Sequence, residues 1–322
     1  MIKQALVPAS DSDAPCDSQN GVHRNPFVSV VLLSYNRPAY LREALESASN
    51  QSLTPSEIIV IDNPSPSSPE IARTVAQFPS VRLIRNESNV GYTGGMNAGI
   101  REAAGEYVFL TEDDVVLERD CLKELVDFIV PRPSTGLCAP VIYNRTARTI
   151  RCAGGEVEIG AIYRVRIHGA NEPDTGQFAQ PFEVTYLAGA AMFAETHFLR
   201  TLGGFRPEYF MYGEDTELCT RVRATGRALS VVPQARVFHF EPGEQPTPPE
   251  IAFHKLKNFF SLYVLHAPLR VLPEFYLRYG VINFLRALKS DRASVWPMMR
   301  AWAWFLVNAP AFLVERYRKV SL

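Results

Sequence analysis

The sequence has no uninterrupted apolar run of about 18 residues, the length a bilayer-spanning helix needs. A spanning helix is therefore not expected. The first 26 residues also have no continuous apolar core of the kind a signal peptide requires. Their Ser, Asp, Pro and Asn content predicts a disordered leader. None of the five cysteines is spaced C-x-x-C, and their number is odd. No zinc or redox motif follows, and reduced intracellular thiols are the expectation. The net charge is −1, so the chain as a whole does not advertise a polyanion, and no nucleic-acid partner is expected. A dinucleotide fingerprint G-x-G-x-x-G is missing, as is the Gly-Lys-Ser/Thr of a Walker A loop.

What is present begins near Phe27. The run FVSVVLLSYNR is continuously apolar until its polar end, as a strand buried on both faces reads. AYLREALESASNQ follows with Leu41, Ala44, Leu45 and Ala48 at helical spacing, and EIIVIDN is a second short apolar run. Strand, helix and strand over this short span predict a βαβ unit with parallel strands. The pattern repeats through PEIARTVAQF, VRLIRN, NAGIREAAG, EYVFLTEDD and CLKELVDFIV. The first half therefore predicts an open α/β sheet with helices on its faces.

The second half is more mixed. LCAPVIY, VTYLAGAAMFA and ALSVVP predict strands, and THFLRTLGGF and EDTELCTRVRATG predict helix followed by turn. PGEQPTPPE is Pro-rich and predicts a linker. From residue 250 onward the pattern is mostly helical with several Pro breaks, among them Pro310, and basic, with eleven Lys and Arg against four Asp and Glu.

Ligands of open α/β sheets bind outside the carboxyl ends of the strands. Three polar clusters are predicted there: Ser34, Tyr35, Asn36 and Arg37 after the first strand, Asp62 and Asn63 after the second, and Glu112, Asp113 and Asp114 after the fourth. Three acids in an apolar context need compensation, because unit charges ~4 Å apart repel by about 4 kcal/mol at an effective dielectric near 20. Strand alternation places Glu112 and Asp114 on one side. Two carboxylates at such a crevice suit a hard cation, Mg²⁺ or Mn²⁺, although an acidic helix cap is an alternative. The stretch NVGYTGGMNAG, with Asn89, Gly91, Gly94, Gly95 and Asn97, reads equally as a structural turn or a ligand loop. Glu214 and Asp215 fall at a predicted helix start, where acids complement the dipole or one serves as a general base. His239 follows a strand between aromatic residues, either packed in place or completing a metal site.

Taken in order, VSVVLLSYNR, IIVIDNPS, NVGYTGGMNAG, TEDD, LGGFRPEYFMYGED and VFHFEPG resemble a family 2 glycosyltransferase of GT-A fold over roughly residues 27 to 245. The resemblance implies a mostly parallel open sheet flanked by helices, with a C-terminal helical extension over residues 246–322. It implies that Asp62 contacts the base or ribose of a nucleotide-sugar donor, with the Ser34–Arg37 turn near it and Asn63, the 89–99 segment and Asp113 around the donor. A UDP- or dTDP-sugar is favoured over a GDP-sugar. Glu112-Asp113-Asp114 looks like the family's D-x-D motif, with Glu112 in place of its first Asp and Asp114 the best metal ligand. Asp215 looks like the catalytic base of the E-D motif, with Glu214 beside it, and His239 matches a metal- or diphosphate-binding His. The implied reaction is an inverting, metal-dependent transfer of a sugar to a hydroxyl of a glycan or lipid-linked acceptor.

A non-catalytic scaffold on the same fold is the alternative, and a sugar-nucleotide pyrophosphorylase is disfavoured by the lack of glycines in SYNRPAY. The C-terminal helices, rich in Trp and Arg, either lie on a membrane interface, pack on the catalytic domain or form an oligomer. The expected location is cytoplasmic, peripheral on the inner face of the cell membrane.

Overall fold

The computed structural model describes residues 26–240, 248–290 and 295–320. All but Pro26 of the leader expected over residues 1–26, with Cys16 in it, and most of the Pro-rich linker lie outside the described residues.

Four parallel strands form one half of the sheet. They are β1 (Val28–Ser34), β2 (Glu57–Asp62), β3 (Val81–Arg85) and β4 (Tyr107–Glu112), in the spatial order β3-β2-β1-β4. Helices α1 (Pro38–Ser49), α2 (Ser68–Val75) and α3 (Gly91–Glu102) connect them. Every residue of β1 is buried, because helices cover both of its faces. Side-chain alternation sorts the strand into two cores. Val30 and Leu32 join Leu41, Ala44, Leu45 and Ala48 of α1, whereas Val31 and Leu33 join Met96, Ala98 and Ile100 of α3. Helix α4 (Cys121–Ile129) lies on the α1 side.

The chain then adds β5 (Val115–Leu117), β6 (Thr135–Asn144), β7 (Ile150–Cys152), β10 (Phe182–Val184), β11 (Ala191–Glu195) and β12 (Ala228–His239) to the same sheet. β8 (Gly155–Ile159) and β9 (Tyr163–Ile167) form a separate hairpin. β11 runs antiparallel between β4 and β6 and joins the two halves. Helices α5 (Thr196–Leu202) and α6 (Glu214–Ala224) cover the α3 face through Leu199, Leu218 and Val222. The described cysteines, Cys121, Cys138, Cys152 and Cys219, are buried free thiols.

Helix α7 (Pro249–His266), α8 (Leu272–Phe275), a π-helical turn (Tyr276–Ile282), α9 (Asn283–Ser290) and α10 (Val295–Val320) build a third core around Phe253, Phe260, Tyr263, Phe275 and Phe305. No helix among the described residues is long and apolar enough to cross a membrane.

Three sequence expectations change. VTYLAGAAMFA is not one strand: only its ends lie in β10 and β11, and the Leu187–Ala190 turn between them faces a cavity. NVGYTGGMNAG is mostly helix, since α3 starts at Gly91. Its glycines serve packing: a Cβ at Gly95 would sit 2.4 Å from Leu33 Cδ1, and one at Gly99 2.2 Å from Val31 Cγ1. The helix can lie on β1 only without them. Pro310 does not break the last helix. The carbonyl it cannot bond is that of Leu306, a residue on the exposed side, 63% accessible to solvent.

Candidate active site

The site lies at the carboxyl ends of β1 and β4. In the β1–β4 register Leu33 faces Glu112, so Glu112 continues the Val108–Leu110 face toward α3 and α6. β4 stops there. Asp113 and Asp114 form a turn into β5. β5 pairs with the end of β12, Val115 opposite His239, and Phe240 N donates to Asp114 O at 3.0 Å. This ladder brings His239 to Asp114 across 125 residues of chain, with Nε2 donating to Oδ1 at 3.1 Å.

Two of the three acids are compensated, each by its own hydrogen bonds. Asp113 accepts from Ser34 Oγ at 2.7 Å and from Tyr35 N at 3.1 Å, yet burial pushes its carboxyl up to about 7. Arg37 pairs with Asp114 and lies 3.8 Å from Asp113. Burial opposes ionisation of Asp114, but the His239 hydrogen bond and charge and the Arg37 guanidinium outweigh it and hold that carboxyl below its ordinary value. Among the described residues Glu112 has no such partner, and burial followed by the charge of Asp114 raises it.

One ligand atom each from Glu112, Asp114 and His239 lies within 4.8 Å of the others. Donors around one octahedral ion, bound at about 2.0–2.1 Å, are roughly 3–4 Å apart. Small side-chain adjustments suffice, and carboxylates with an imidazole are a donor set for Mn²⁺ or Mg²⁺. His239 Nδ1 is buried without a hydrogen-bond partner, so the ring keeps a second donor atom. The residues therefore fit a divalent cation.

On the other wall, Gly213 caps α6 with φ +82°, and the helix opens with Glu214 and Asp215. Asp215 accepts from Tyr186 Oη at 2.7 Å and Gly189 N at 3.4 Å through one oxygen, and from Thr216 N at 2.6 Å through the other. Burial still raises its carboxyl above the ordinary range. Glu214 is raised further, by burial and then by the charges of Asp215 and Glu112, and its Oε2 is buried with no partner. A cavity of about 520 Å³ is lined by Glu112, Asp114, His239, Glu214 and Asp215 together. A smaller one, about 140 Å³, adjoins it and is lined by Tyr35, Arg37, Asn63, Asn89, Gly91 and Asp113. The two share Arg37, Tyr92, Glu112 and Met211 as a common wall.

Other residues singled out from the sequence shape this cleft from its edge or from behind. Asp62 accepts from Arg85 Nε at 2.8 Å and from Ser68 Oγ at 3.2 Å and is absent from both linings; its neighbour Asn63 lines the smaller cavity. Asn36, at φ +60°, accepts from Ser67 Oγ at 2.9 Å. Asn89 Oδ1 accepts from Gly91 N at 2.9 Å, and Asn63 Nδ2 donates to Gly91 O at 3.0 Å, which fixes the start of α3. Gly94 and Gly95 lie inside α3, and Asn97 pins the Phe205 turn through bonds of 2.7 and 2.8 Å.

Several contributors escaped the sequence reading. Tyr92 Oη donates to Gly189 O at 2.6 Å and fixes the turn that faces Asp215. Phe210 and Tyr212 have φ +64° and +69°, conformations that bulky residues rarely adopt. Thr93 N donates to Phe210 O at 3.1 Å, and from α7 Asn258 Nδ2 reaches the carbonyls of Tyr209, Met211 and Tyr212 at 2.8, 2.9 and 2.8 Å. Lys257 Nζ donates to Glu208 O and to Asn258 Oδ1, and burial drops its pKa to about 8. The sequence signal was there: a Lys-Asn pair in the apolar run FHKLKNFFSL.

The sequence model described as Glycosyl transferase family 2 matches residues 29–166, which include β1, the 89–99 segment and the Glu112–Asp114 acids. The chain is a glycosyltransferase, similar over residues 29–166 to glycosyl transferase family 2. Over 258 residues this glycosyltransferase is 27% identical to the N-acetylglucosaminyl-diphospho-decaprenol L-rhamnosyltransferase of Mycobacterium tuberculosis (strain ATCC 25618 / H37Rv), covering 72% of this chain and 82% of the relative. It is 37% identical over 87 residues to the uncharacterized glycosyltransferase YwdF of Bacillus subtilis (strain 168), 27% of this chain and 32% of that one.

Among solved structures, GalNAc-T7 with UDP, GalNAc and Mn²⁺ superposes with a TM-score of 0.63 at 20% identity, covering 88% of this chain. The match spans 57% of the GalNAc-T7 chain. The mannosyltransferase PcManGT from Pyrobaculum calidifontis, in complex with GDP-Man and Mn²⁺, superposes at 0.54 with 18% identity, over 96% of this chain and 85% of that one. These likenesses show the fold: the glycosyltransferase has the GT-A architecture.

Proposed function

We propose that this glycosyltransferase is inverting and metal-dependent, and that it moves a hexose or deoxyhexose from a nucleoside-diphosphate donor to a hydroxyl of a glycan or lipid-linked acceptor at a membrane surface. One observation carries the reading: a cavity lined by the Glu112–Asp114–His239 cluster is also lined by Asp215. The proposed metal ligands are Glu112, Asp114 and His239. A divalent cation held there supplies charge neutralisation for a departing diphosphate.

This chain's own residues do the rest. The smaller cavity, with Tyr35, Arg37, Asn63, Asn89 and Gly91, takes the nucleotide, and Asp62 supports it from behind through Asn63. Arg37 lies beside the acids and adds a fixed positive charge. Asp215 accepts the proton of the acceptor hydroxyl. Its burial brings its pKa closer to working pH, where a base is most effective, and Tyr186 and Thr216 fix its orientation. A base on one face of the sugar and a leaving group on the other give a single displacement with inversion. The lipid-linked acceptor is favoured by the relative whose name carries a decaprenyl diphosphate.

Thermal melting against UDP-, dTDP- and GDP-sugars, with and without Mn²⁺, tests the reading in wild type and Asp114→Asn. A ligand at one hundred times its dissociation constant stabilises the folded state by about 2.7 kcal/mol. A Mn²⁺-dependent rise with one nucleotide, lost in the variant, is the expected result. A donor shift that ignores both metal and variant overturns the metal role.

A further inference from the structure

We infer that the exposed face of α10 is a docking surface for an anionic lipid bilayer, on which the enzyme lies peripherally. This goes one step beyond the proposed membrane-surface acceptor by naming the face and its chemistry.

Water-facing helices normally turn charged residues outward. On α10 the reverse holds. Among its described side chains, every exposed position from 296 to 317 is apolar or aromatic. Trp296, Met299, Leu306, Val307, Val314 and Tyr317 follow at intervals of three, seven, one, seven and three residues, with only Ala and Pro exposed between them. Val307 is 80% exposed and Leu306 63% exposed. Among the described side chains the charged groups of α10 turn the other way: Arg300 pairs with Glu250, Glu315 pairs with Arg206, and Arg316 donates to the Val264 carbonyl. The opposite face is already used by the aromatic core on α7, through Phe305 and Phe312.

The same unit carries a second stripe. Across the π turn and α9, Leu277, Val281, Leu285 and Leu288 are exposed at spacings of four, four and three. Here exposed charges accompany them: Arg270, Arg278, Arg286 and Lys289 against Glu274. α10 lies directly on this segment, since a Cβ at Gly280 would sit 2.1 Å from Trp302.

Two arguments select lipid over a second copy of the chain. The first is area. Trp296 to Tyr317 spans about 32 Å at 1.5 Å per residue, and one helix face is roughly 10 Å wide. That gives roughly 320 Å², against about 800 Å² per partner in a stable protein interface. The second is charge: four exposed cations to one anion complement anionic headgroups, and they would repel their own copies across a two-fold axis. Trp296 and Tyr317, near the two ends of the stripe, have the amphipathic rings that settle at headgroup level.

The test is co-sedimentation of the full chain with phosphatidylglycerol vesicles and with phosphatidylcholine vesicles, at about 50 mM and about 300 mM salt. Wild type should pellet with phosphatidylglycerol at low salt and several-fold less at high salt. Leu306→Glu with Val307→Glu should weaken binding at least tenfold while keeping the wild-type melting profile, because both positions are exposed. Arg270→Ala with Lys289→Ala should weaken binding to phosphatidylglycerol and leave the melting profile unchanged. Wild type remaining in the supernatant overturns the proposal, as does unchanged pelleting of the Glu variant. So does a dimer in light scattering that the Glu variant converts to monomer without any vesicle binding. The readout uses neither donor nor turnover, so its failure and that of the transferase reading are separable.

Discussion

The Asn258 side-chain amide lies 2.8 Å from the carbonyl oxygen of Tyr212, two residues before Glu214. A helix outside the sheet thereby holds the strained turn that walls the smaller cavity. Asn258→Leu leaves three carbonyls without this donor, a loss of about 1–3 kcal/mol. Donor affinity should fall with stability, since Phe210 and Met211 line the smaller cavity. Urea denaturation and donor titration of the same variant check both; normal donor binding would show that the turn holds its shape without α7.

Asp215→Asn should lower kcat by about 10²–10⁴ and leave donor affinity within roughly twofold. Glu214→Gln, which keeps the shape beside it, should cost less than about tenfold. The reverse ranking would move the base to Glu214, whose Oε2 is the unpartnered oxygen. Tyr186→Phe gives an independent readout. The Tyr186 hydrogen bond favours the ionised form of Asp215, so its loss should move the acid limb of the kcat/KM profile to higher pH.

Gly99→Ala should destabilise the protein by about 1–3 kcal/mol, because its methyl would meet Val31 of β1. Combining it with Val31→Ala should return part of that loss, as a double-mutant cycle would reveal. Simple additivity of the two changes would contradict the close contact.

His254 stacks on Phe210 at 4.6 Å, and burial, then the charge of Lys257, lowers its pKa to about 4. An unfolded histidine titrates near 6.5. Between pH 6.5 and 4 the unfolded chain therefore holds a proton that the folded chain does not, and stability falls as the pH is lowered through that window. His254→Phe should remove this part of the acid sensitivity, on the order of 1 kcal/mol after solvent screening. Denaturation at pH 7 and 4.5 measures it; equal acid sensitivity in the variant would place the loss elsewhere.

The first βαβ unit was readable from pattern alone, because Leu41, Ala44, Leu45 and Ala48 repeat with the helix and all four are buried. The fold's second half was less so. β11 owes its position to pairing with β4 and β6, which no local pattern reports. Helix α3 carries four glycines, each costing about 1 kcal/mol of propensity, and exists because Gly95 and Gly99 let it touch β1. Pro310 read as a break because chain composition does not show which carbonyl faces water. At the site, periodicity placed Glu112 on its face, but the juxtaposition with His239 depends on the β5–β12 pairing. The Lys257-Asn258 pair stands out in its apolar run, but what it holds does not, because the three acceptors of Asn258 lie 46 to 49 residues away along the chain.

The antiparallel strand β11 has a consequence for how such an enzyme changes over generations. The parallel strands β3-β2-β1-β4 come from residues 28–112, and those on the far side of β11 come from residues 115–239. The two walls of the cleft are thus inherited as consecutive stretches of chain joined at one seam. Both cavities nevertheless draw on both stretches, since Phe210 and Met211 line the smaller one beside Tyr35, Arg37 and Asn63, so substitutions in the later stretch reshape the smaller cavity as well as the larger.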